Sequence, residues 1–113
     1  MHELSIAESI VQAVVKVAED NHYGQIKSIR LEIGALSGIV EDSLSFCFPV
    51  VAEGTALEGV SLDIINVPLT LACRDCGSQT CPKEPWMICG QCQGSRVDVI
   101  AGKEMTIKSI EVE

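Results

Sequence analysis

The sequence predicts an α+β fold: two helices packed on a three-stranded sheet, with an inserted zinc-ribbon domain. Three observations carry this. Segments 4–20 and about 40–53 place apolar residues at helical spacing. Three further segments alternate apolar and polar residues, the pattern of a half-buried strand. Between the second and third of these lie two C-x-x-C pairs, Cys73-Arg74-Asp75-Cys76 and Cys89-Gly90-Gln91-Cys92, twelve residues apart.

The elements follow in order. In the first helix Leu4, Ala7, Val11, Val14 and Ala18 form the apolar stripe, flanked by Ile10 and Val17. Glu8, Gln12, Lys16 and Glu19 take the other face. Gly24 is placed to end the helix or turn the chain, with His22 near the end as a partner for the helix dipole. Ile29, Leu31 and Ile33 then alternate with Ser28, Arg30 and Glu32, and Gly34-Ala35-Leu36-Ser37-Gly38 reads as a flexible exit. The second helix has a stripe of Val40, Leu44, Cys47 or Phe48, and Val51, with Glu41 and Asp42 in its first turn. Pro49 removes a backbone donor and threatens to kink or shorten it. Val60, Leu62 and Ile64 mark the next strand. Leu69–Ala72 and Val97–Ile100 flank the cysteine pairs and can pair with each other. Met105, Ile107, Ile110 and Val112 make the last strand, with a phase shift at Lys108-Ser109 that suggests a bulge.

Two C-x-x-C pairs at this spacing point to one tetrahedral zinc held by Cys73, Cys76, Cys89 and Cys92. Gly77 and Gly90 stand beside the cysteines, ready for backbone angles that other residues avoid. Four thiolates leave the metal no open position, so this zinc is structural and activity lies elsewhere. Two redox pairs or disulfides are the competing interpretation.

At 113 residues with 47% apolar residues the chain is one domain or one domain with a small insert, and its core is mostly aliphatic because only four residues are aromatic. No apolar run approaches the ~18 residues of a membrane span. The start Met1-His2-Glu3 lacks the basic and apolar regions of an export signal, and thiols arranged for metal suit a reducing cytoplasm. The net charge of −8 opposes binding to nucleic-acid backbones. Residues 69–103 carry Arg74, Lys83, Arg96 and Lys103 against Asp75, Glu84 and Asp98, so the acidity lies in the remainder.

His2 is the second informative feature. A histidine at position two chelates a metal through the terminal amine, its own deprotonated amide and the imidazole Nδ1, in unstrained rings. An ion polarising enough to deprotonate an amide and content with a planar nitrogen field is Ni²⁺ or Cu²⁺. The backbone amide and carboxylate of Glu3 are close enough to contribute. The dipeptide by itself also fits a frayed terminus whose histidine does nothing. Cys47 reads as a buried small hydrophobe, Cys81 as a spare thiol, and Trp86 as packing over the loop between the cysteine pairs. The chain carries no P-loop and no nucleophile elbow, and two histidines give little material for a catalytic pair. A zinc-ribbon adaptor without a second metal, and a small zinc hydrolase, are the rival functional classes.

Met1-His2-Glu3-Leu4-Ser5, the segment Leu31-Glu32-Ile33-Gly34-Ala35-Leu36-Ser37, the late cysteine ribbon and the ending Ile107-Lys108-Ser109-Ile110-Glu111-Val112 resemble the HypA/HybF proteins, the nickel metallochaperones of NiFe-hydrogenase maturation. The resemblance runs from end to end. It implies a nickel-binding α/β domain of residues 1–68 plus 104–113, with a zinc-ribbon domain of residues 69–103 inserted. It implies that His2 is the essential nickel ligand, assisted by the backbone nitrogen of Glu3, and that Cys73, Cys76, Cys89 and Cys92 hold zinc. Nickel is then a transient cargo and zinc a structural ion. An acidic residue near the second helix joins the nickel site in some members, and Glu41 is the nearest candidate. The implied partners are a hydrogenase maturation GTPase, which agrees with the missing P-loop, and the hydrogenase large subunit; some relatives also serve urease. The expected protein is cytoplasmic, is not an enzyme, binds neither nucleic acid nor membrane, and is a monomer or homodimer. Pro49 and Cys81 depart from the family's pattern and bear only on local structure.

Overall fold

The structure, a computed structural model, describes residues 2–113. The elements run α1 (Glu3–Asp20), β1 (Ile26–Gly34), α2 (Glu41–Ala52), β2 (Ser61–Val67), β3 (Thr70–Cys73), β4 (Gln79–Thr80), β5 (Val97–Ala101) and β6 (Met105–Val112). One sheet has the order β2-β1-β6 and a second the order β4-β3-β5. The fold is the expected mixed α+β arrangement, with two helices, a three-stranded sheet and a cysteine-bearing ribbon. No helix among the described residues is long and apolar enough to cross a membrane.

The chain forms two compact units. The first comprises the chain up to Leu31, Ile39–Ile64 and Ile107–Glu113; the second comprises Glu32–Gly38 and Ile65–Thr106. In the first, Ala7, Ile10, Val11 and Val14 of α1, Leu44, Phe48 and Ala52 of α2, and Ile26, Ile29 and Leu31 of β1 make the core with Leu57. Three details differ from expectation. Leu4 is half exposed, and Glu3 takes the buried slot at the start of the α1 stripe. The α2 stripe is Leu44, Phe48 and Ala52, a strict i, i+4, i+8 row, while Val40 is exposed and Cys47 only half-buried. Pro49 does not break α2, which runs on to Ala52, and the proline's own carbonyl accepts the Glu53 N–H at 3.1 Å. Ser45, whose carbonyl loses the proline's donor, is exposed, so water can replace it.

The left-handed residue that closes off α1 is His22, just beyond the C-cap Asn21, and not Gly24. His22 adopts φ 54°, its N–H donates to the Glu19 carbonyl at 3.3 Å, and the Tyr23 N–H donates to the Ala18 carbonyl at 2.9 Å. This is the Schellman pairing, in which a left-handed residue satisfies the last carbonyls. The role of His22 is therefore backbone geometry. A side chain there costs about 1 kcal/mol relative to glycine, so His22→Gly should raise stability by that order in urea unfolding.

The second unit rests on a close backbone crossing. A Cβ on Gly34 would lie 2.1 Å from the Gly102 carbonyl oxygen and 2.6 Å from the Glu104 nitrogen. Gly102, at φ 118°, would itself press a Cβ to 2.8 Å from the Leu69 Cα. The Gly34 N–H donates to the Glu104 carbonyl at 2.7 Å, the Ala35 N–H to Val67 at 3.0 Å and the Leu36 N–H to Gly102 at 2.7 Å. The segment from Gly34 is thus held tightly, contrary to the flexible exit expected. Gly34→Ala must move backbone on both sides and should cost about 3 kcal/mol, read as a fall in the unfolding midpoint.

In the ribbon β3 pairs antiparallel with β5, Leu71 opposite Val99 and Cys73 opposite Val97, as the flanking segments predicted. The short β4, pairing Leu71 with Thr80 and Ala72 with Gln79, is additional. Along β6 the half-buried positions step from Ile107 to Ile110 and Val112, so the exposure phase changes at Lys108-Ser109 within a continuous strand.

Candidate metal centres

The cysteine centre is built from two knuckles of the same design. The Gly77 N–H donates to the Cys73 carbonyl at 3.1 Å, and the Gln93 N–H to the Cys89 carbonyl at 2.9 Å. The Cys73 N–H donates to Ser78 at 2.9 Å, and the Cys89 N–H to Gly94 at 2.8 Å. Each knuckle turns on a left-handed residue immediately after its second cysteine, Gly77 at φ 77° and Gln93 at φ 63°. Gly90, expected to take that role, lies outside the left-handed region; its lack of a side chain lets Thr80 approach, whose Oγ1 accepts the Gly90 N–H at 3.3 Å. Glutamine carries no compositional signal for a left-handed turn, so Gln93 was invisible in sequence.

The four sulfurs lie within 4.8 Å of one another. The contacts of 3.6 Å run between knuckles, Cys73 to Cys92 and Cys76 to Cys89. A tetrahedron of ~2.3 Å zinc–sulfur bonds has edges of about 3.8 Å, so this arrangement fits a four-thiolate metal site. These contacts thus cross between the pairs, as one shared metal requires, and all six cysteines are free thiols. Backbone N–H groups aim at the sulfurs: Cys76 at Cys73, and Gln91 and Cys92 at Cys89, at 3.4–3.5 Å. Cys73 and Cys89 are buried, whereas Cys76 and Cys92 face solvent.

The thiols are not equivalent. The hydroxyl and backbone N–H of Ser78 hold Cys76 down at about 6, and the N–H groups of Cys92 and Gln91 lower Cys89. The Gly94 N–H pulls on Cys92, but the crowding sulfurs of Cys73 and Cys76 prevail and push it up to about 12. Four thiolates this close repel, and a divalent cation removes that repulsion while expelling the remaining protons. Ser78 is a contributor that spacing alone did not single out.

Around the knuckles, Arg74 donates to both carboxylate oxygens of Asp98 at 3.0 and 2.8 Å, and Arg96 meets Asp75 at 3.2 Å. The Arg74 guanidinium holds the Asp98 carboxyl below its usual range. These crossed pairs tie the first knuckle to β5 and its approach: arginine precedes aspartate in both segments, and the antiparallel pairing of β3 with β5 sets opposite charges against each other. Cys81 stays outside the cluster, its sulfur 3.4 Å from the Thr70 hydroxyl. Trp86 does not pack over its loop but is 66% exposed.

At the other end of the chain, His2 is the N-cap residue of α1. Its carbonyl accepts the Ile6 N–H at 3.0 Å and its side chain is 58% exposed. The first N–H groups of a helix have no acceptor among its backbone carbonyls, and that of Glu3 reaches its own carboxylate. The Glu3 carboxylate is buried, accepts the Val40 N–H at 3.3 Å and lies 3.9 Å from the His2 Nε2. It thereby joins the start of α1 to the N-cap of α2, one residue before Glu41. The terminal amine, the remaining donor of the expected chelate, belongs to Met1, outside the described residues.

The chain matches a known family along its length. The profile described as hydrogenase/urease nickel incorporation, metallochaperone, hypA covers residues 1–112. The hydrogenase maturation factor HypA of a Nostoc species is 43% identical over 113 residues, covering 100% of this chain and 96% of that protein. Its counterpart in Chlorobium limicola is 42% identical, covering 100% and 97%. The solution structure of the Ni metallochaperone HypA from Helicobacter pylori is similar at a TM-score of 0.68 and 25% identity, over 99% of this chain and 97% of that one. A second solution structure of HypA protein gives a TM-score of 0.74 at 25% identity, over 100% and 97%.

Proposed function

The chain belongs to the HypA family of hydrogenase/urease nickel-incorporation metallochaperones, and from that premise we propose that it binds Ni(II) at its N-terminus and delivers it, with a partner GTPase, to the NiFe-hydrogenase large subunit. The observation that carries this reading is the placement of His2. Its imidazole is in solvent, and the amides beside it precede the hydrogen-bonded part of α1. Nickel, as cargo, takes the terminal amine, the His2 amide and imidazole, and the backbone nitrogen of Glu3. Deprotonated amides are anionic, and the positive end of the α1 dipole favours them there. Glu41 is offered as an additional donor: it follows the residue that the Glu3 carboxylate grips. A chelate on an exposed terminus releases its ion when a partner displaces one donor, which a delivery protein requires.

In this reading Cys73, Cys76, Cys89 and Cys92 hold a structural Zn(II), whose chemistry is to neutralise four thiolates and cross-link the knuckles. The nickel domain is residues 1–68 plus 104–113 and the zinc ribbon residues 69–103. The protein works in the cytoplasm as a maturation factor without catalytic activity of its own, and urease maturation is a second client system. The test is transfer: incubating the nickel-loaded protein with the GTPase, GTP and the large-subunit precursor should move nickel to the precursor. Retention of nickel on the chaperone under those conditions would overturn the delivery role.

A further inference from the structure

Helix α2 is apolar on two faces. Leu44, Phe48 and Ala52 point into the core and are at most 1% exposed. On another face Phe46, Pro49 and Val50, at i, i+3 and i+4, stand in solvent, Phe46 at 76% and Val50 at 59% exposure. A helix that is apolar on opposed faces is one that is covered on both, and a phenylalanine this exposed is a feature of binding surfaces. The two ends of the outer stripe are acidic: Asp42 lies one turn before Phe46, and Glu53 one turn after Pro49, both exposed. No lysine or arginine occurs between Arg30 and Arg74, while Glu32, Glu41, Asp42, Glu53, Glu58 and Asp63 do. The apolar stripe is therefore set in a wholly acidic stretch of sequence.

We propose that the outer face of α2, Phe46–Pro49–Val50 between Asp42 and Glu53, is a docking surface for a cationic amphipathic segment of a partner protein. Its apolar side chains cover Phe46 and Val50, and its lysines or arginines meet the two carboxylates. Charge complementarity decides the occupant: a second copy of this chain, itself at −8, would set like charges against each other, whereas a basic segment is steered in. The inference stands whether or not nickel is the cargo.

The probe is a synthetic leucine–lysine peptide with leucines at i, i+3, i+4 and i+7, titrated into the zinc-loaded full chain by fluorescence anisotropy and by amide chemical shifts. The expected result is shifts centred on residues 42–53, binding at least tenfold weaker in Phe46→Ala/Val50→Ala and in Asp42→Asn/Glu53→Gln, and weaker binding of the matching leucine–glutamate peptide. Phe46 and Val50 are solvent-exposed, so the double variant should keep native circular dichroism and zinc content. Unchanged affinity in the double variant, shifts centred elsewhere, or equal binding of the glutamate peptide would overturn the proposal. So would a wild-type dimer in sedimentation equilibrium that the double variant converts to monomer.

Discussion

Cys73→Ser or Cys89→Ser should abolish stoichiometric zinc binding and unfold the ribbon. The reason is the small apolar content of the second unit. Its buried apolar side chains are Ile33, Leu69 and Leu71, with the two buried cysteines themselves. Its strands β4 and β3 have two and four residues, and Trp86, Met87 and Ile88 in the connecting loop face solvent. Ordering each residue costs roughly 1–2 kcal/mol, which so few buried side chains cannot offset. The structural zinc proposed for the four cysteines would contribute on the order of 10–16 kcal/mol and make the difference. The check is metal content by mass spectrometry together with amide exchange across residues 70–101. Loss of zinc and protection in both variants is expected, with Cys81→Ser unchanged because its sulfur lies outside the cluster. Because ligation replaces protons on thiols such as Cys92, raised to about 12, zinc affinity should also fall as pH is lowered. A folded ribbon in Cys73→Ser would mean that the metal is not structural.

His2→Ala should remove nickel binding while leaving zinc and fold intact. The alanine keeps the terminal amine and the amide but loses the imidazole, and with it the six-membered ring that holds the deprotonated amide on the metal. The expected loss is on the order of a thousandfold, about 4 kcal/mol. The fold should be indifferent, because the His2 side chain is largely exposed and contributes no capping hydrogen bond to α1. Glu3→Gln is different in kind. It keeps the backbone nitrogen offered to nickel but alters the buried carboxylate that accepts the Val40 N–H, so it should lower stability more than nickel affinity.

What could be read in advance was what leaves a local pattern. Two helices, the alternating strands and the cysteine spacing are periodic or short-range, and the structure has them. Only the first position of the α1 stripe was misread, because Leu4 outranks Glu3 in hydrophobicity; a partner distant in sequence, the Val40 N–H, makes a buried carboxylate acceptable there. Gly34 looked like loop material for the same reason. The contact that demands glycine there is with Gly102 and Glu104, and nothing near residue 34 announces it. Gln93 and His22 hold left-handed angles that composition would have assigned to glycine. At the sites, residue types and spacing pointed to the cysteines and His2, while Ser78, Thr80 and the crossed Arg–Asp pairs emerged only once the strands were set side by side.

The most direct test of the central claim is nickel titration by calorimetry of zinc-loaded protein with an untagged N-terminus, run beside His2→Ala. A saturable isotherm in the native chain that vanishes in the variant, with zinc content and circular dichroism unchanged, is the predicted result. Equal isotherms in both would place nickel elsewhere on the chain, and no binding in either would contradict the metallochaperone reading.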